Sequence, residues 1–197
     1  MSHRHIDTLA SEPWFQRPWI MLGTGPSLDR FKPEEWPDHN IAAIYDAFYA
    51  APKCDILFYS DSWVKDTLEY LADGSAASAR YIAARAINAQ FLHYWHKYEN
   101  VVLWDYDCDR THYGVHLFTD RAPYPCSNTS SFIVLWLGTL GVREIRIWGI
   151  DGGWGFASVV SKKYRRGAKQ GTEWKPDIEN AGAYGHASNF GINMIKM

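Results

Sequence analysis

His186, in Tyr184-Gly185-His186, carries an imidazole able to take a proton from a hydroxyl near neutral pH. A lone histidine is more often structural, so its meaning depends on its company. Gly23-Thr24-Gly25-Pro26-Ser27 follows the apolar run Trp19-Ile20-Met21-Leu22 and opens a short helix. Backbone N–H groups at such a turn can receive a phosphate or a nucleotide. Gly23 and Gly25 permit close backbone approach, Pro26 pre-sets a helical φ, and Ser27 adds a hydroxyl. The dinucleotide fingerprint needs a third glycine three residues after the second. Leu28 stands there, which disfavours NAD. A purely structural turn is the plain alternative.

Other candidates are spaced along the chain. Asn128-Thr129-Ser130-Ser131 opens a helix, where its polar side chains either cap the helix or meet a nucleotide. Gly149-Ile150-Asp151 ends a strand, and Asp151 is either a turn residue or a partner for a ribose hydroxyl or a metal. Asp46 and Ser60 also follow apolar runs. Lys162, Tyr164 and Arg165 are candidate phosphate contacts within a basic stretch reaching Lys169. That stretch suits a phosphate, an acidic acceptor or nucleic acid, against the plain alternative of a solvated loop. The pairs His93/His96 and His112/His116 lack a third ligand at metal-site spacing, so no metal site is expected.

The elements that must position these residues alternate. Short, nearly continuous apolar runs at Pro18–Leu22, Ile41–Tyr45, Asp55–Tyr59, Val101–Trp104 and Glu144–Trp148 suit strands buried on both faces of a parallel sheet. Helices are expected over residues 62–72, from Ser75 or Ser78 to about Tyr98, over Ser127–Leu140, and over Ala187–Met197. Residues 1–17 read as an N-terminal arm, and residues 18–197 as one nucleotide-binding transferase domain. Residues 149–182 lack strong periodicity and read as a lid-like loop. The pattern predicts an α/β, Rossmann-like, doubly wound and mainly parallel sheet. Ligands bind beyond the C-terminal strand ends of such sheets, so Gly23–Ser27, Asp46, Ser60–Ser62 and Gly149–Asp151 should converge on one crevice.

Composition narrows the class. The 197 residues fit one domain, and 16% aromatic content favours a packed core over disorder. A net charge of −2 gives no general case for nucleic acid or membrane binding. Three widely spaced cysteines and no apolar leader segment suit a reduced, cytoplasmic chain. No apolar run approaches the roughly 20 residues that span a bilayer.

Taken together, Gly23–Ser27, Asn128-Thr129-Ser130, the run from Leu140 to Gly149-Ile150-Asp151, and Gly185-His186 resemble the bacterial lipooligosaccharide-type sialyltransferases. They also resemble the wider superfamily containing motility accessory factors and 6-hydroxymethylpterin pyrophosphokinases. The resemblance implies a Rossmann-like transferase that moves sialic acid from CMP-sialic acid with inversion. It implies that the Gly23–Ser27 loop and the Gly149–Asp151 turn line the nucleotide site. It further implies that Thr129 or Ser130 lies near the donor phosphate or sugar, and that His186 is the general base. Thr24, Asp46 and Ser60 stand where that family carries asparagines, and its tyrosine pair has no counterpart at the matched positions Gly153 and Val159.

The leading expectation is a glycosyltransferase using a nucleotide sugar, CMP-linked by resemblance, and a hydroxyl acceptor, with no cofactor required. A Mg²⁺-dependent pyrophosphokinase or nucleotidyl-type transferase using Asp46, Asp61 or Asp151 is the alternative enzyme. A non-catalytic nucleotide-binding protein is the third reading. Donor sugar, acceptor and any homo-oligomer stay open.

Overall fold

The computed structural model describes residues 4–59, 78–85, 99–104, 129–151, 156–160, 184, 187–188 and 190–197. Among the described residues, eight strands form one sheet: β1 (Arg4–His5), β2 (Trp19–Leu22), β3 (Asn40–Ile44), β4 (Ile56–Tyr59), β5 (Tyr81–Arg85), β6 (Val101–Trp104), β7 (Glu144–Trp148) and β8 (Asn193–Lys196). Their order is β1-β6-β5-β4-β3-β2-β7-β8. Every pairing is parallel. This is the α/β, Rossmann-like sheet the apolar runs predict.

The runs are nearly continuous in apolar residues because both faces of the sheet are covered. Side chains alternate along a strand, so each strand feeds two cores. Trp19, Met21, Ala42, Ile44, Ile56, Phe58, Ile145 and Ile147 enter one core. Ile20, Leu22, Ile41, Ala43, Leu57 and Trp148 enter the other. Helix α1 (Thr129–Thr139) packs in the first core and is buried at every residue from Thr129 to Gly138. Its apolar residues therefore run around the whole helix, as a central position demands. Gly141, at φ +91, ends it.

Residues 4–17, expected as an arm, are built into this architecture. Arg4 and His5 pair with β6 as an edge strand. Ile6, Leu9 and Phe15 are buried in the α1-face core. Phe15 meets Trp19 and Trp136 edge-on at centroid distances of 5.1 and 5.6 Å. The Asn40 side-chain amide donates to the carbonyl of Trp14 at 3.0 Å, and the Trp136 indole donates to Asp7 at 3.0 Å.

Two expected helices are corrected. Tyr81–Arg85, placed in a helix from Ser75 or Ser78, is strand β5 between β4 and β6. Its Ala83-Ala84 pair has helical propensity, but burial of Ile82, Ala83 and Ala84 on two faces overrides it. Asn193–Lys196, placed in a terminal helix, is strand β8 on β7. Gly191, at φ +62, separates Phe190 from that strand. Residues 62–72, 75–77 and 86–98 of the expected helices fall outside the described residues.

Candidate functional site at the strand switch

The chain leaves β2 toward β3 on one side and later returns as β7 on β2's other side. The C-terminal ends of β2 and β7 therefore mark a topological switch point, where open α/β sheets bind ligands. The Gly23–Ser27 loop follows β2, and the Gly149–Asp151 turn follows β7.

These two loops are clasped together by four hydrogen bonds. Gly23 N–H donates to the Trp148 carbonyl and Gly25 N–H to the Gly149 carbonyl, each at 2.8 Å. Ser27 N–H donates to the Asp151 carboxylate at 2.8 Å. Gly149 N–H donates to the Ser27 hydroxyl at 2.6 Å. The glycines make this approach feasible. A Cβ on Gly23 would sit 2.4 Å from the Gly149 carbonyl oxygen, and one on Gly149 would sit 2.1 Å from that of Gly23. Gly149 also adopts φ +70.

The amides of Gly23, Gly25 and Ser27 are thus engaged within the protein, whereas the sequence suggests a loop of outward-pointing donors. Asp151 supplies the N-terminal cap of the 3-10 turn Pro26–Arg30 from across the clasp, since Gly25 offers no side chain there. Ser27 is buried; Thr24, Ile150 and Asp151 are partly exposed, and Pro26 is exposed. The clasp rests on a third segment. Ala157 N–H donates to the Thr24 carbonyl at 2.9 Å. The Asp29 carboxylate accepts from Ser158 N–H at 2.7 Å and from its hydroxyl at 2.8 Å.

A second polar group lies one strand away. Thr129 and Ser130 are buried at the N-terminus of α1. The Thr129 hydroxyl donates to the Tyr45 hydroxyl at 3.5 Å, which joins the start of α1 to the end of β3. Asp46, the next residue, is fully buried. Tyr45 has φ 47, a left-handed conformation that side chains other than glycine rarely adopt.

The structure thus brings Gly23, Gly25, Ser27, Gly149 and Asp151 into one clasp, with Thr24, Pro26 and Ile150 on it. It joins Thr129 to Tyr45, with buried Asp46 and Ser130 next to them in the chain. Ser60, Asn128, Lys162, Tyr164, Arg165, His186 and the lid-like loop's basic stretch lie outside the described residues. Ala187, beside His186, is buried in the α1-face core. Sequence reasoning missed three residues: Tyr45, Asp29 and Lys196, whose ammonium is 3.9 Å from Asp151. Tyr45 and Lys196 carried a findable signal, since each closes an apolar run at a strand's C-terminal end. Asp29 carried none.

No protein-family model matches this sequence, and no curated protein matches it. Solved structures match its fold. The sialyltransferase CstII from Campylobacter jejuni, in complex with the substrate analogue CMP-3FNeuAc, aligns with TM-score 0.60 and 16% identity, covering 92% of this chain and 81% of that chain. The sialyltransferase CST-II in complex with trisaccharide acceptor and CMP aligns with TM-score 0.57 and 16% identity, covering 91% and 80%. The monofunctional α-2,3-sialyltransferase Cst-I from Campylobacter jejuni aligns with TM-score 0.57 and 15% identity, covering 91% and 75%. The protein therefore has the α/β fold of these sialyltransferases. Among the described residues, no helix is long and apolar enough to cross a membrane.

Proposed function

We propose that this chain is a glycosyltransferase that moves a sugar from a CMP-linked donor of the sialic acid type to an acceptor hydroxyl. The observation that carries the reading is the fold match to CstII across 92% of this chain. The clasp at the strand switch supports it, because that is where such a sheet receives a nucleotide.

On this reading the donor lies along the sheet edge between Gly23–Ser27, the Gly149–Asp151 turn and the Thr129–Ser130 start of α1. His186 takes the proton of the acceptor hydroxyl. The freed oxygen forms a bond to the anomeric carbon as the bond from that carbon to the CMP phosphate oxygen breaks. The anomeric centre inverts and CMP leaves carrying the bonding electrons. Lys162, Tyr164 and Arg165 stabilise the leaving phosphate, and the step uses no metal.

The test replaces the base. His186→Ala should lower transfer by about 10²–10⁴-fold. Its CMP affinity, read by calorimetry, should stay within about twofold, a free-energy change below ~0.5 kcal/mol. Transfer by the variant at the wild-type rate contradicts the assignment of the base.

A further inference from the structure

Lys196 sits at the C-terminal end of β8, next to β7. Because β8 is parallel to β7, that end opens on the same sheet edge as Gly23–Ser27 and Gly149–Asp151. The register sets Lys196 opposite Ile147, and Met194 opposite Ile145. Ile145 and Ile147 belong to the α1-face core and Met194 packs against it. By strand alternation Lys196 stands on that same face, the one on which α1 begins.

Among the described residues, the charge balance at this edge calls for a cation. The Gly23, Gly25 and Ser27 amides already hold partners inside the protein. The Asp151 carboxylate adds a negative charge to the clasp. A phosphate brought there meets repulsion unless an opposite charge offsets it. The Lys196 ammonium is 3.9 Å from Asp151, and its side chain is 53% exposed. Charge-assisted hydrogen bonds lie near 2.7–2.9 Å, so this contact is a long one. The ammonium therefore retains donors, and its flexible stem lets it swing toward a ligand.

We infer that Lys196 is a phosphate-binding residue of the nucleotide site, its ammonium pairing with the phosphate of the donor and offsetting Asp151. The inference rests on the nucleotide-sugar reading above and adds a residue to it. No covalent step is involved.

The experiment is calorimetric titration of CMP into the wild-type chain, Lys196→Gln and Lys196→Arg, at low and high salt, with the unfolding midpoint of each chain measured alone. Lys196→Gln should weaken CMP binding about five- to tenfold, the size of one partly exposed charged contact. Lys196→Arg should keep most of the affinity, since it keeps the charge. The salt dependence of CMP binding should be shallower in the Gln variant, because one screened attraction is gone. The unfolding midpoints should agree. Equal CMP affinity in wild type and Lys196→Gln overturns the inference, and so does equal weakening in the Gln and Arg variants. A lower midpoint accompanying the weaker binding overturns it too, because Lys196 then acts through the fold. A wild-type chain that does not bind CMP contradicts the nucleotide-sugar reading itself, and this inference falls with it.

Discussion

Gly149 concentrates the constraints of the candidate site in one residue. Its φ of +70 penalises any side chain, and a Cβ there would lie 2.1 Å from the Gly23 carbonyl oxygen, which is backbone and cannot swing away. Its N–H also holds the buried Ser27 hydroxyl. Gly149→Ala should therefore destabilise the protein by about 2–4 kcal/mol, combining backbone strain with forced separation of the clasp. Gly141→Ala is the control. It has a similar φ of +91 but nothing within 4 Å, so it should cost about 1 kcal/mol. Urea unfolding of both variants checks the pair, and equal losses would mean that strain alone matters at Gly149. Asp151 has a structural role at the same scale: the carboxylate read either as a turn residue or as a ribose or metal partner caps Ser27.

Among the elements, the central strands were readable because burial on two faces leaves an unbroken apolar run. Trp19–Leu22 and Ile41–Ile44 carry it, and Ile145–Trp148 carries it apart from the half-buried Arg146. β5 was not readable: Tyr81-Ile82-Ala83-Ala84-Arg85 lacks β-branched residues apart from Ile82, and alanine favours helix in isolation. Its strand identity comes from docking between β4 and β6, which local sequence does not encode. β1 was hidden for a related reason, since a two-residue edge strand has no period to detect. The clasp was half legible. The glycines and Asp151 could be picked out as strand-end residues, but their mutual hydrogen bonds join positions more than 120 residues apart in sequence. The strand assignment of β5 has a direct check in amide hydrogen exchange. Ile82 N–H donates to the Asn100 carbonyl at 3.0 Å, and Ile82 to Ala84 are buried. Their amides should exchange among the slowest in the chain, near the global unfolding limit. Exchange at the rate of fraying ends would contradict a central strand.

For the whole molecule, the fold and the site make separate claims. The all-parallel sheet, with a core on each face and a switch between β2 and β7, aligns with the Campylobacter sialyltransferases at TM-scores of 0.60 and 0.57. At 16% and 15% identity that likeness is one of architecture, and the proposed chemistry depends on what this chain's own residues do at the switch. The central claim is sugar transfer from a CMP-linked donor. The most direct measurement follows free CMP and glycosylated product together, with CMP-sialic acid as donor and a panel of hydroxyl-bearing oligosaccharides as acceptors. The account predicts equal amounts of CMP and sialylated product, formed at a rate that rises with acceptor concentration. No sialylated product above the enzyme-free control, at any acceptor concentration, would contradict it.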